Sequence, residues 1–300
     1  MLLKQLAPIA LVLALAGCAV SEPEPSVVAV DFEACFLTGV STFEESTLNQ
    51  ALDISMHQAQ VEFGIKIQVA ELVSGAKSSV ISRQARKFVT SGCNLVVSSG
   101  VGSQAAFESV AKANPEVDFL LLDAAVTKDQ VDAGDSGLAN LELWDFDEWS
   151  AAFEAGYLAA MKASSTVGVW HQNQIRESAT ILDGFRAGVD LFNGDNAAAV
   201  EVLVSKDLDA LETADVLLAT RELSAAEPKD AVWLYLKKQP EQLLIDGVKT
   251  SLTGEFVGTA AKVGKAGGYF AFSTKALPSG AAGQISRLEK LFADGTIVGP

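Results

Sequence analysis

Short apolar runs alternate with longer segments of helical periodicity from residue 34 onward. The runs 34–38, 65–71, 94–99 and 118–123 predict strands, and the segments 43–63, 78–90 and 103–113 between them predict helices. That order predicts βαβ units, hence a parallel sheet with helices on both faces and a ligand at its carboxyl edge. A second series follows the acidic loop 128–137, with strands at 138–143, 166–171 and 198–205 and helices at 150–163 and 176–192. Two series of the same kind predict two α/β lobes joined near residues 137–143, with the cleft between them as the place for a ligand. Past Ser205 the rhythm fails. The run "ADVLLAT" is separated from "AVWLYLKK" only by the polar stretch "RELSAAEPKD", in which Pro228 interrupts any helix. A parallel crossover takes about a dozen residues or more, usually helical, so the second lobe is expected to be smaller by about one βα unit.

The first 33 residues do not share this pattern. Lys4 precedes an apolar run from Leu6 to Ala16, which falls short of the roughly 20 residues that span a bilayer and reads as an export signal. Leu15-Ala16-Gly17-Cys18 resembles a bacterial lipobox, so residues 1–17 are expected to be cleaved and Cys18 to carry lipid; a cysteine placed there by chance would not. The proline-rich acidic stretch "AVSEPEPS" then reads as a tether, within a linker spanning residues 18–33. The expected location is the outer face of the cell membrane.

Composition narrows the function. Twenty-two Lys and Arg against 38 Asp and Glu give a net charge of −16, which argues against nucleic acid and against adhesion to anionic headgroups. Cys35 and Cys93 each stand where an apolar strand begins, and in a doubly wound sheet the first and third strands are neighbours. A disulfide is the expectation outside the cell, with two buried thiols as the alternative. There is no C-x-x-C motif, and His57 and His171 are the only histidines, so neither a zinc site nor a cysteine–histidine nucleophile is supported. No cofactor or metal is expected.

One motif points elsewhere at first. Gly100, Gly102 and Ala105 form G-x-G-x-x-A directly after a strand, and Asp123 closes the next apolar run, close to a dinucleotide-binding fingerprint. Export argues against nicotinamide cofactors, which are cytoplasmic. The same glycine turn at a helix N-terminus serves other polar ligands.

Several segments, in order, resemble the basic membrane lipoprotein family of ABC-importer solute-binding proteins, which includes purine nucleoside receptors. They are "FEESTLNQ", the stretch from Arg83 to Asp123, "EWSAAFEAGYLAA", "ILDGFRAGV" and "RLEKLFADGTIVGP". The resemblance implies a two-lobed type I periplasmic-binding-protein fold, with residues 34–138 plus about 240–262 in the first lobe and 139–239 plus about 263–300 in the second. It also implies that Gly100, Gly102 and Asp123 line the cleft, that Asn49 addresses a purine edge and that Lys237 faces the ribose. Departures are specific. The family's first-strand acid falls at Gly39, its aromatics at Leu48 and Ile181, and part of its second lobe has no counterpart between Thr220 and Asp230. Losing stacking, worth roughly 1 to 3 kcal/mol per base, and a charge-assisted hydrogen bond weakens a nucleoside considerably.

Other residues carry two readings. Trp170 either supplies a stacking face at the cleft or ends a buried strand, and His171 reads as exposed and structural. Phe185 reads as core beside Ile181, Leu182 and Val189, while Glu44 and Glu45 read as acids opening a helix. Asn49 and Lys237 each have a bland alternative, a solvated helix position and the close of an exposed strand. The function expected is binding without chemistry: a small polar solute, with purine nucleosides as candidates, passed to an ABC permease. A ligand-poor paralogue serving as an envelope sensor is the alternative.

Overall fold

The structure, a computed structural model, describes residues 30–171, 176–220, 223, 231–274 and 276–299. The signal segment, Cys18 and most of the 220–230 stretch lie outside the described residues. The chain runs β1 (Glu33–Leu37), α1 (Thr47–Phe63), β2 (Lys66–Ala70), α2 (Ser78–Ser91), β3 (Leu95–Ser99), α3 (Val101–Ala113), β4 (Asp118–Leu122), α4 (Lys128–Ala133) and β5 (Leu141–Phe146). It continues with α5 (Glu148–Lys162), β6 (Thr166–Trp170), α6 (Arg176–Asn196), β7 (Glu201–Ser205), β8 (Val216–Ala219) and β9 (Leu234–Lys238). The last elements are α7 (Glu241–Thr253), β10 (Ala260–Val263), β11 (Phe270–Thr274) and α8 (Ala281–Ala293).

The first sheet has the order β10-β5-β4-β3-β1-β2 and its strands are parallel. Its inner strands are apolar almost throughout because both faces are covered. Ala34 and Phe36 of β1 pack with Leu48, Leu52 and Leu244 on one face, whereas Cys35 and Leu37 pack with Ile81, Ala85 and Phe107 on the other. Ser46 caps α1 by accepting from Asn49 N at 3.2 Å, so Glu44 and Glu45 precede that helix and do not open it.

β5 pairs with β4 through Phe119↔Leu141 and Leu121↔Leu143, so it belongs to the first sheet. The expected boundary at residue 139 therefore moves to Asp147. β10 also returns to this sheet, and the second sheet, β11-β9-β8-β6-β7, has five strands against six, with β11 antiparallel. The chain passes between sheets three times among the described residues: at Asp147, at Gln239–Pro240, and through the short 3-10 turn Lys265–Gly267. Backbone hydrogen bonds tie these passages together, Asp147 N to Val263 O at 2.9 Å and Gln239 N to Tyr269 O at 2.9 Å.

Within the second lobe α5 and α6 touch backbone to backbone. A Cβ at Gly156 would collide with Phe185 O, one at Gly188 with Phe153 O, and one at Gly184 with Trp149 O. Phe185 itself is fully buried.

β1 and β3 are neighbours, and Cys35 and Cys93 are joined across them with their Cα atoms 6.0 Å apart. Protein recovered from outside the cytoplasm is expected to show no alkylatable thiol at these two positions under denaturing, non-reducing conditions, and two after reduction. Two thiols before reduction would show the bridge to be absent from the native protein.

Candidate functional site

The carboxyl edges of the two sheets meet beside the three passages. At the end of β3, Gly100 takes φ +83° and its N–H donates to Leu122 O at 2.8 Å, which brings the start of α3 against the end of β4. A Cβ on Gly102 would lie 2.6 Å from Val40 Cγ1, so the loop after β1 folds directly over this first helical turn. The next residue on the edge is Asp123, with φ +62°. A left-handed backbone costs a residue with a Cβ roughly 1 to 2 kcal/mol, a strain that the surrounding contacts must hold. Ala124 N supplies one of those contacts, donating to Trp144 O at 3.0 Å.

Asp123 Oδ1 lies 2.6 Å from Lys238 Nζ, and the same ammonium lies 2.7 Å from Glu148 Oε1. Lys238 ends β9 of the second lobe, Asp123 follows β4 of the first, and Glu148 opens α5, so the three groups bridge the lobes at the hinge. Lys238 also sits over the Phe146 ring, 5.4 Å from its centroid. The side chains are 17%, 14% and 9% exposed in the order Lys238, Asp123, Glu148, so the set is largely but not wholly withdrawn from water. Asp145 adjoins it, and burial pushes its carboxyl up to about 6, with Lys262 pulling it back and Asp123 adding to the rise. Chemically the set is a cation between carboxylates, suited to donors and acceptors on a hydroxyl-rich or amino-bearing solute.

The expected site residues divide. Gly100, Gly102 and Asp123 do share the first sheet's carboxyl edge. Lys237 does not reach the site: it is exposed, while Lys238, with the parity of Leu234 and Leu236, faces inward. Asn49 is fully buried, donating through Nδ2 to Thr38 O and Ser41 O, both at 3.0 Å, and accepting from Ser99 Oγ at 2.5 Å. Both amide hydrogens are spent on locking the loop after β1, which leaves none for a purine edge. Trp170 is core: it is buried among Leu211, Ala219 and Tyr235 and donates Nε1 to Lys206 O at 3.1 Å. Leu48 and Ile181 are buried in the largest apolar cluster, so neither stands in for a stacking ring. Gly39 takes φ +71°, and a Cβ there would lie 2.5 Å from both Ser103 Oγ and Ser99 O, which leaves no room for an acid. Sequence reasoning missed Glu148 and Lys238; the signal for Lys238 was its parity with Leu236.

A second, partly buried charge set serves the third passage. Lys265 Nζ lies 3.5 Å from Glu154 Oε2 on α5, 3.6 Å from Glu289 Oε1 on α8, and 4.9 Å from the Phe272 ring centroid. Glu154 is 2% exposed and its Oε2 receives no hydrogen bond among the described residues. Burial pushes its carboxyl up to about 7; Lys265 draws it back and Glu289 raises it further.

Two α/β lobes, opposed carboxyl edges and a three-passage hinge define a two-lobed fold of the periplasmic-binding-protein type. The family described as ABC transporter substrate-binding protein PnrA-like matches residues 32–214, and the chain belongs to that family. No curated protein sequence matches it. Among solved structures it is similar to an ABC transporter solute-binding protein from Aeropyrum pernix K1, with 17% identity, a TM-score of 0.69, and coverage of 90% of this chain and 94% of that one. A solute-binding protein from Conexibacter woesei gives 16% identity and a TM-score of 0.68 over 90% of this chain and 98% of that one. A transcriptional activator of the comK gene from Bacillus halodurans gives 13% and 0.63 over 88% and 98%. At these identities the likeness establishes the fold.

Proposed function

We propose that the protein is a lipid-anchored, extracytoplasmic receptor that binds a small hydroxyl-rich solute, a purine nucleoside or a related compound, between its lobes and passes it unchanged to an ABC permease. The observation that carries this reading is the Asp123–Lys238–Glu148 set, which joins residues of both lobes at the carboxyl edges of the two sheets. A solute that engages it stabilises one relative placement of the lobes through contacts that the open state lacks. Anchoring rests on the lipobox-like Cys18, and no described helix is long and apolar enough to cross a membrane. The absence of stacking rings at Leu48 and Ile181 predicts weak nucleoside affinity.

The test is a thermal-shift screen of nucleosides, nucleobases and sugars, followed by titration of each hit. Asp123→Asn removes one charge-assisted acceptor and leaves Lys238 on Glu148, so binding is expected to weaken about 10- to 150-fold. A hit whose affinity ignores that change would move the site away from Asp123. The second reading, a ligand-poor paralogue, is favoured by Asn49, whose hydrogen bonds are all internal, and by Gly39, which excludes the missing acid. A screen in which no compound shifts the wild type would select it.

A further inference from the structure

We infer that the exposed face of α2 is a docking surface for the anionic headgroups of the membrane to which the chain is anchored. Residues 72–107 contain Lys77, Arg83, Arg86 and Lys87 and no Asp or Glu, in a chain that carries 38 acids over 300 residues. Helical spacing gathers Arg83, Arg86 and Lys87 with Thr90 and Ser91 along one open groove, and all five are exposed. None of the ion pairs among the described residues uses these three bases. The net charge of −16 averages over this segregation: the molecule as a whole is repelled by an anionic surface, while α2 presents it a run of bases without acids.

Position supplies the partner. α2 runs back toward the amino edge of the first sheet, where Ser91 Oγ lies 3.5 Å from Gln68 Nε2 and Gln68 donates to Glu33 Oε1 at 2.6 Å. Glu33 begins β1, so the groove runs toward the edge at which the chain arrives from its anchoring segment. Two acids at that edge are engaged, Glu33 by Gln68 and Asp31 by Lys66 at 3.2 Å. From Cys18 to Val30 the chain reaches at most about 40 Å, which keeps this edge near the bilayer at high effective concentration. Phosphate headgroups match bases and hydroxyls, and the carboxyl edge with its solute site lies at the opposite end of the sheet.

The inference rests on the lipid-anchor reading, and the experiment separates the two. Processed, lipidated protein is placed in vesicles of phosphatidylcholine alone or with about a third phosphatidylglycerol, and lysine acetylation is followed by mass spectrometry. Lys87 is expected to react about threefold or more slowly on the anionic vesicles, Lys128 equally on both, and the difference to vanish in high salt. Arg83→Gln with Arg86→Gln is expected to abolish the protection of Lys87, since each base favours the docked state about fivefold. Equal acetylation of Lys87 on both vesicles, with the protein floating alongside each, overturns the docking surface and leaves the anchor standing. Protein that floats with neither vesicle overturns both.

Discussion

Lys238→Met is expected to destabilise the protein by about 3 to 5 kcal/mol at pH 7.5, whereas Lys237→Met, one residue earlier, is expected to change stability by less than about 0.5 kcal/mol. The side chains differ little in size, so the contrast isolates the charge. Removing the Lys238 ammonium leaves the Asp123 and Glu148 carboxylates, 14% and 9% exposed, facing each other without the cation that lies 2.6 and 2.7 Å from them. Asp123 also holds a left-handed backbone at φ +62°, a strain that the ion pair helps to offset and that the variant bears without it. Lys237 is exposed on the other face of β9 and leaves no buried charge behind. Urea unfolding of the two variants and the wild type measures the difference. Similar losses in both variants would show that Lys238 is not the ionic link between the lobes.

Glu154→Gln is expected to flatten the decline in stability between pH 5 and pH 8 by on the order of 3 kcal/mol. In the folded chain the carboxyl keeps its proton up to about pH 7, while in the unfolded chain it lets go near its ordinary value of 4.5. Between those values the folded state binds more protons than the unfolded one. Stability from this group is therefore complete below about 4.5 and lost as pH rises through about 7. Glu142 and Asp145, both pushed up to about 6 by burial, act in the same direction over a lower range and remain in the variant. The charged neighbours of Glu154 are Lys265, which limits the rise, and Glu289, which adds to it. Unfolding free energies of the wild type and the variant from pH 5 to 8 give the two slopes. Parallel profiles would mean that Glu154 is ionised throughout and paired with Lys265 across the whole range.

The first lobe was legible because its inner strands are covered on both faces, which leaves apolar runs that only such strands need. The partition between lobes was not legible. β5 looks locally like the start of a new series, and its place is decided by the pairing of Leu141 and Leu143 with Phe119 and Leu121, which no window along the chain contains. β10 is four residues long with Lys262 inside it, too short for a periodicity to emerge. The sequence placed Asp123 and the glycine turn at the first sheet's carboxyl edge, since strand ends are local features. The partners of buried polar groups are set in three dimensions. Asn49 finds its acceptors 8 and 11 residues back and its donor 50 residues ahead, and Trp170 finds Lys206 O 36 residues on. The choice between Lys237 and Lys238 needed only strand parity, which Leu234 and Leu236 supply.

The glycine contact between α5 and α6 bears on how this protein can drift. At most buried positions a lineage can trade a larger side chain for a smaller one and recover the loss by a compensating change nearby. Gly156, Gly184 and Gly188 allow no such exchange, because each already carries the smallest side chain and its Cα faces a carbonyl oxygen of the opposite helix. The first step away from glycine is a methyl group driven into backbone, and no substitution on the partner helix removes a main-chain oxygen. Room can come only from the two helices parting along their whole contact, which would also shift Glu148 and Glu154, the acids through which α5 holds two of the hinge passages. The second lobe can vary its surface and its loops freely while this helix pair changes as a single unit or not at all.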